Sequence, residues 1–418
     1  MMHKKSRGSS MPSSRIRVFG CIAATLVAAL TATGCGSSTT ATALPGELDV
    51  RTLDTGSYAN ATAPLDMRFD YHNDLSGASN LALMRLADHV VIGPDIDARL
   101  KFGTGSIPFL DAEKATKLLA NANKPVLERN KMMFGFGAGS SDKENDSSGK
   151  TPPGSTFTTV AVMQFPDEEA AKRAATEIDE TDFAIAADAN QKVSLPKYPA
   201  AHSHWRPGVP TIGSTLAYGR YVVNLYMGTA EAKLEDLTDL AQKAYAAQLP
   251  LLDQIPALPP TEMLFLPDDP DQMLRRTLNP EGFGAPNIGD QASFTVRGFL
   301  HNVGPQDHWK TVMSEAGVDR FSKSTSMSST NMLYRARDGA GASMLASRIL
   351  ERNYPGVAAE PPVLPEARCG ENPKDDYKTK RFRCAITYRQ YVATVESDQL
   401  TDAHQRAAAQ YALLANSQ

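Results

Sequence analysis

No catalytic or cofactor-binding signature is present in the 418 residues. A G-x-S-x-G elbow and an H-E-x-x-H helix are both missing, which removes the local signs of a hydrolase nucleophile and of a zinc protease. The glycine-rich run FGFGAGS (134–140) lacks the Lys-Ser/Thr pair of a phosphate loop, and no helix opens on it. SSDK (140–143) has Ser-x-x-Lys spacing without its two companion motifs. A triad scattered along the chain would leave no such trace. A hydrolase therefore stays as the alternative reading, and a non-enzymatic protein is preferred, with no catalytic residue, cofactor or metal site expected.

Positive charge is also in short supply. The formal charge is −4, and five of the 43 basic residues (Lys4, Lys5, Arg7, Arg15 and Arg17) crowd the N-terminus. Without them 38 basic residues face 47 acidic ones, a formal charge of −9. Phosphate backbones are held by Lys and Arg, so nucleic acid is excluded as an expected partner.

Long apolar runs are limited to one stretch of roughly 15 residues from Val18, short of the ~20 that a membrane-spanning helix needs. Basic residues before it and small residues after it complete the pattern of a signal peptide over 1–34. The run ends in ATGC, so Cys35 stands where bacterial lipoprotein maturation would cleave and lipidate. Residues 35–48, rich in Ser, Thr and Ala, then read as the lipidated cysteine and a flexible tether.

Cysteine is scarce, with residues at 21, 35, 369 and 384 only. Cys21 leaves with the leader and Cys35 takes the lipid. The remaining pair in an exported chain predicts a Cys369–Cys384 disulfide. It would close the polar loop 370–383 and contribute about 3 kcal/mol in the chain-entropy account. Phe382, Cys384, Ile386 and Tyr388 alternate onto one strand face, which is expected to be buried.

What the sequence does contain is an internal echo. VVIGPDIDARL from Val90 is matched by MLFLPDDPDQML from Met263, and TTVAVMQF (158–165) by NMLYRARD (331–338), both at an offset of 173. SLPKYP meets VLPEAR with Leu195-Pro196 against Leu364-Pro365, and YGRYVV at Tyr218 meets YRQYVA at Tyr388, offset 170. The order is common, so duplication is expected: a first domain over 49–255 and a second over 256–418, joined by the Pro-rich PALPPTEM (256–263). An alanine stripe from Ala170 to Ile178 predicts a helix after strand 156–165, and LAYGRYVVNLYM reads as one long strand. A final helix carries Leu237, Leu240, Ala241 and Ala244. Helices around 341–352 and 402–415 repeat the plan. The fold class expected is α+β in two tandem similar domains, each a mostly antiparallel sheet with helices on one face. Residues 137–155 lack periodicity and read as a loop.

Other candidates have plain structural readings. His202 and His204 are spaced for a metal pair on a strand but lack further ligands, so AHSHW is expected in a surface loop. His301 and His308, beside Trp309, fare alike. GPDID and PDDPDQ lack the remaining ligands of a calcium loop and are expected to cap helices. Tyr218, Tyr221, Tyr226, Tyr388 and Tyr391 lie on strands. Most are expected in cross-strand pairs, with those facing outward free to line a groove.

LMRLADHVVIGPDIDARL, AGVDRFSKSTSMSSTNMLYRARDGAGASMLASRIL and the Cys369/Cys384 pair together resemble an uncharacterised family of actinobacterial cell-envelope lipoproteins of mycobacteria and nocardiae. The likeness covers most of the mature chain and brings no active site with it. The C-terminal segment also resembles extracytoplasmic sensor domains of receptor kinases in the same bacteria, through a helix–strand pattern with one disulfide. The expectation is a protein anchored by lipid at Cys35 on the extracytoplasmic face of the membrane. It would bind a small molecule or envelope lipid at the junction of its domains, or an envelope protein.

Overall fold

In a computed structural model the described residues are 48–61, 74–281, 285–326, 329–364, 366–373 and 379–417. The 1–34 leader, Cys35 and all of the tether but Leu48 lie outside the described residues. Asp49–Gln418 form one compact unit.

The first half opens with α1 (Leu75–Ala87), capped by the Asp74 carboxylate, which accepts from the Gly77 N–H at 2.7 Å. Three strands follow, β1 (Phe102–Phe109), β2 (Phe134–Ser141) and β3 (Phe157–Gln164), then α2 (Glu168–Ala184). The chain returns through β4 (Gln191–Val193), β5 (His202–Trp205), β6 (Thr211–Tyr218) and β7 (Tyr221–Gly228), and closes with α3 (Leu234–Leu252). The second half runs β8 (Gln291–Phe294), α4 (Val296–Leu300), α5 (Gln306–Ala316), β9 (Arg320–Thr325), β10 (Thr330–Arg335) and α6 (Gly339–Glu351). It ends with β11 (Gly356–Ala358), β12 (Arg368–Glu371), β13 (Phe382–Tyr388), β14 (Tyr391–Ser397) and α7 (Leu400–Ala415).

The two sheets have the same topology. Spatial order is β1-β2-β3-β7-β6-β5-β4 in the first and β8-β9-β10-β14-β13-β12-β11 in the second, with every neighbouring pair antiparallel. The tandem α+β architecture is as expected. Local devices repeat as well. Asp167 caps α2 by accepting from Ala170 N–H at 2.7 Å, and Asp338 caps α6 by accepting from Gly341 N–H at 2.8 Å.

Helix placement is richer than the single layer expected. In the first sheet Ala161, Met163 and Val222 pack under Ala170, Ala174 and Ile178 of α2. On the opposite face Val160, Val162, Val223 and Leu225 meet Leu83 of α1 and Leu237, Ala241 and Tyr245 of α3. The second sheet is likewise covered twice: Ala385 and Val392 join α6, while Tyr388, on the other side, packs edge-on against Tyr411 of α7 at 5.4 Å. Strands this apolar on alternate residues of both faces cannot leave either face to water.

The α1–α3 face of the first sheet and the α4–α6 layer of the second belong to one continuous core. These are different faces of the repeated unit, so the halves meet head-to-tail and not about a twofold axis. At the N-terminal end, residues 49–61 lie on α7: Tyr58 hydroxyl pairs with Asp402, and the Asn416 side chain donates to Asn60 O at 2.9 Å.

Three local expectations are corrected. Residues 137–141 are strand, not loop: FGFGAGS is most of the buried β2, flanked by β1 and β3. LAYGRYVVNLYM is two strands and a tight turn, because Gly219 takes φ 56° and reverses the chain. AHSHW contains β5, not a surface loop.

Candidate binding cavity between the halves

α1 carries Leu81, Met84 and Arg85 on consecutive turns, and the connection between the halves passes over them with Leu258, Leu266, Pro267 and Pro270. Phe294 at the end of β8 closes the far wall. Together these residues line a cavity of about 450 Å³. Its lining surface is mostly apolar, with charged groups of both signs among it (Arg85 and Arg320, Asp88, Asp268 and Asp271), a mixture suited to a small-molecule site.

Part of the polar lining is held by contacts between the halves. Asp88 follows α1 and is partly buried. Its Oδ1 accepts from both the Thr295 N–H and the Thr295 hydroxyl at 2.9 Å. Thr295 is the residue before α4, so a carboxylate from the first half sits at the start of a helix of the second. Gly298 makes this approach possible: a Cβ there would fall 2.5 Å from Asp88 Oδ1. Burial pushes the Asp88 carboxyl up to about 6, against the hydrogen bonds from Thr295 that lower it. His89 Nδ1 lies 2.7 Å from Arg85 O, and burial pulls its pKa down. Arg320 is engaged by Asp271 at 2.5 Å, whereas Arg85 has no ion pair among the described residues.

Behind this wall the junction is tied by further polar contacts. His301 is buried, and its Nε2 donates to Val90 O at 3.0 Å. Burial pulls its pKa down to about 4. Ser140 donates to the Gln306 side chain at 3.0 Å, so SSDK begins with an interface residue. Asp95 of GPDID caps no helix; it bridges to Lys310 at 2.6 Å and Arg297 at 3.4 Å. In PDDPDQ, Asp269 does serve a helical turn, accepting from Leu274 and Arg275 N–H groups at 3.0 Å.

The remaining sequence candidates disperse. Cys369 and Cys384 face each other across β12 and β13 and are disulfide-bonded. His404 lies within 4.8 Å of both sulfurs, but its Nε2 donates to Ala359 O and the sulfurs are committed to each other. His202 Nε2 is bonded to Thr176 and His204 Nδ1 to Asp179, so the two histidines serve different partners. His308 stands edge-on to Trp309 at 5.4 Å. Tyr221 and Tyr388 are buried, and burial alone pushes Tyr221 up to about 12. Tyr218 donates to Asp253, Tyr391 lies under Arg276, and Tyr226 is 49% exposed. The sequence suggests a candidate site at the junction and gives no sign of the Asp88–Thr295 contact there. Their partnership spans 207 residues and leaves no local pattern.

Fold and cavity thus define a two-domain α+β protein whose halves enclose an apolar cavity. The chain belongs to the DUF7373 family. Residues 69–268 match "Domain of unknown function (DUF7373) N-terminal" and residues 273–417 match "Domain of unknown function (DUF7373) C-terminal". No curated protein matches the sequence. Among solved structures, the extracellular domain of PknH from Mycobacterium tuberculosis matches at 12% identity, over 41% of this chain and 96% of that one. Its TM-score is 0.31.

Proposed function

We propose that this protein is a non-enzymatic binding protein, lipid-anchored through Cys35 on the extracytoplasmic face of the cell membrane, that holds a small amphiphile between its halves. The observation that carries the reading is the 450 Å³ cavity, with apolar walls from α1 and the interdomain connection and with Arg85, which has no ion pair among the described residues, in its lining. An apolar body gains about 25 cal/mol per Å² on entering such walls, and an anionic end would find the Arg85 guanidinium. The leader pattern and Ser/Thr-rich tether support export and anchoring.

Native mass spectrometry of protein purified from its own envelope tests the binding role. The wild type should carry an added small-molecule mass, and Leu266→Trp, which fills the cavity from its half-buried rim, should lose it. Bare wild-type protein, or equal loading of the variant, overturns the reading. Anchoring is tested separately: Cys35→Ala should move the protein out of the membrane fraction.

One observation favours an envelope hydrolase as a second reading. The Asp179 carboxylate holds His204 Nδ1 at 2.7 Å, the orienting half of a triad. Among the described residues, however, no hydroxyl or thiol is hydrogen-bonded to His204. A fluorophosphonate probe that labels wild type but not His204→Gln would decide for the hydrolase.

A further inference from the structure

A second cavity, of about 440 Å³, lies wholly in the first half, where the end of α2 meets β5, β6 and β7. It does not touch the junction, and its chemistry is different. Among its polar lining side chains, four have already spent one group on the protein. His204 gives Nδ1 to the buried Asp179 at 2.7 Å, and Lys192 takes the other Asp179 oxygen. Asp182 accepts from Asn123 Nδ2 at 2.7 Å through Oδ1. Asn190 Nδ2 donates to Phe183 O, and Asn224 Nδ2 donates to Thr215 Oγ1, both at 2.8 Å.

Among the described residues, what these four side chains have left is the second carboxylate oxygen of Asp182, the amide oxygens of Asn190 and Asn224, and the His204 Nε2, the ring nitrogen that Asp179 does not hold. A ligand here must supply several donors. Between them stand apolar surfaces, Leu118 and the 63% exposed Ile185, with Tyr226 at the mouth. Arg206 stands at the same mouth and disfavours a cation. The geometry points to a polyhydroxylated ligand, a neutral sugar unit, with hydroxyls donating to His204, Asp182, Asn190 and Asn224 and with its C–H faces against Leu118 and Ile185. Asp179 is a positioning residue, since it fixes which nitrogen of His204 faces the cavity.

The protein's two tryptophans supply the assay, because Trp205 lines this cavity and Trp309 does not. In Trp309→Phe protein, titration with glucose, galactose or mannose to about 100 mM should give a saturable change in emission for at least one sugar. His204→Gln and Asp182→Asn should each weaken that binding about tenfold, the equivalent of one lost hydrogen bond. Ile185→Ala, at an exposed wall where folding is not at stake, should weaken it several-fold. Three results would overturn the proposal: no saturation with any of the three sugars, an affinity unchanged by all three variants, or saturation by methylammonium in place of the sugars.

Discussion

At the same point of the same strand pair, the first half sets Ser203 against Ser214 and the second sets Cys369 against Cys384. The equivalence rests on register. Hairpin β6–β7 closes on the pair Tyr218–Tyr221, and β13–β14 closes on Tyr388–Tyr391, so 170 residues carry Ser214 onto Cys384. One half is stapled covalently. The other carries a buried chain in which Ser203 and Ser214 hydroxyls lie 2.7 Å apart and Ser214 meets the Tyr245 hydroxyl at 2.9 Å. The connection explains the choice. β5 reaches β6 through residues 206–210, but β12 reaches β13 through the longer, charged 372–381. A longer loop costs more entropy to close, and the disulfide offsets that cost in the unfolded chain.

The largest effect should come from exchanging these solutions. Cys369→Ser with Cys384→Ser copies the first half into the second and should cost about 3 kcal/mol, read as a lower denaturant midpoint. Ser203→Cys with Ser214→Cys should form a new disulfide and stabilise the first half by about 2–3 kcal/mol in the entropy account. If the serine version of the second half is as stable as wild type, loop closure is not why the halves differ.

A second device is the same in both halves and should break the same way. Gln248 of α3 donates to His89 O at 2.7 Å and accepts from Val91 N–H at 2.9 Å. Gln410 of α7 donates to Arg276 O and accepts from Leu278 N–H, both at 2.8 Å. Each clamps a buried backbone segment that sheet hydrogen bonds do not reach. Gln248→Ala and Gln410→Ala should each cost about 1–3 kcal/mol, the penalty for unpaired buried groups. Hydrogen exchange should accelerate at Val91 in one variant and at Leu278 in the other.

At the junction the halves contribute titrating groups of opposite sign. Asp88 has its pKa raised to about 6, so its contribution is present at low pH and fades as pH rises through 6. His301 has its pKa lowered to about 4, so its contribution is present above about 6.5 and fades as pH falls through 4. Between pH 4 and 6 the two slopes oppose each other. Asp88→Asn should therefore expose a stability that rises with pH in this window, and His301→Gln one that falls, each by up to about 1.4 kcal/mol per pH unit. Unchanged slopes in both variants would remove these two groups from the junction's pH response.

Short-range pattern made part of this legible. The YGRY and YRQY echo marks equivalent hairpins, and the alanine stripe is α2. The Pro94-Asp95 echo misled: Asp95 follows the first glutamine clamp, whereas Pro267-Asp268 precedes the second. The strand echo at 173 was two residues off, since Gln164 faces Tyr221 as Arg335 faces Tyr391. A two-residue slip keeps each side chain on its face, so the apolar pattern matches at either offset. Ser203, Ser214 and Asp88 were invisible for another reason. Their partners are set by strand register and domain docking, and neither leaves a spacing in the chain.

The smallest difference between the halves sits in those two hairpins. Gly219 and Arg389 occupy the same turn position, with φ of 56° and 52°. A Cβ at Gly219 would meet nothing within 4 Å, so only backbone conformation distinguishes the sites. A residue with a Cβ pays about 1 kcal/mol or more to enter the left-handed region, and glycine gives back part of this through its greater freedom when unfolded. Arg389→Gly should thus stabilise the second half by up to about 1 kcal/mol, and Gly219→Ala should destabilise the first by a similar amount. Arg389 also lies over the Tyr388 ring at 5.4 Å, a contact worth about 0.5–1 kcal/mol at an exposed site. Arg389→Ala keeps the strain and loses that contact, so it should be the least stable of the three residues at this position. If alanine equals arginine there, the ring contact contributes nothing. If glycine does not exceed alanine, the turn in the second half is not strained.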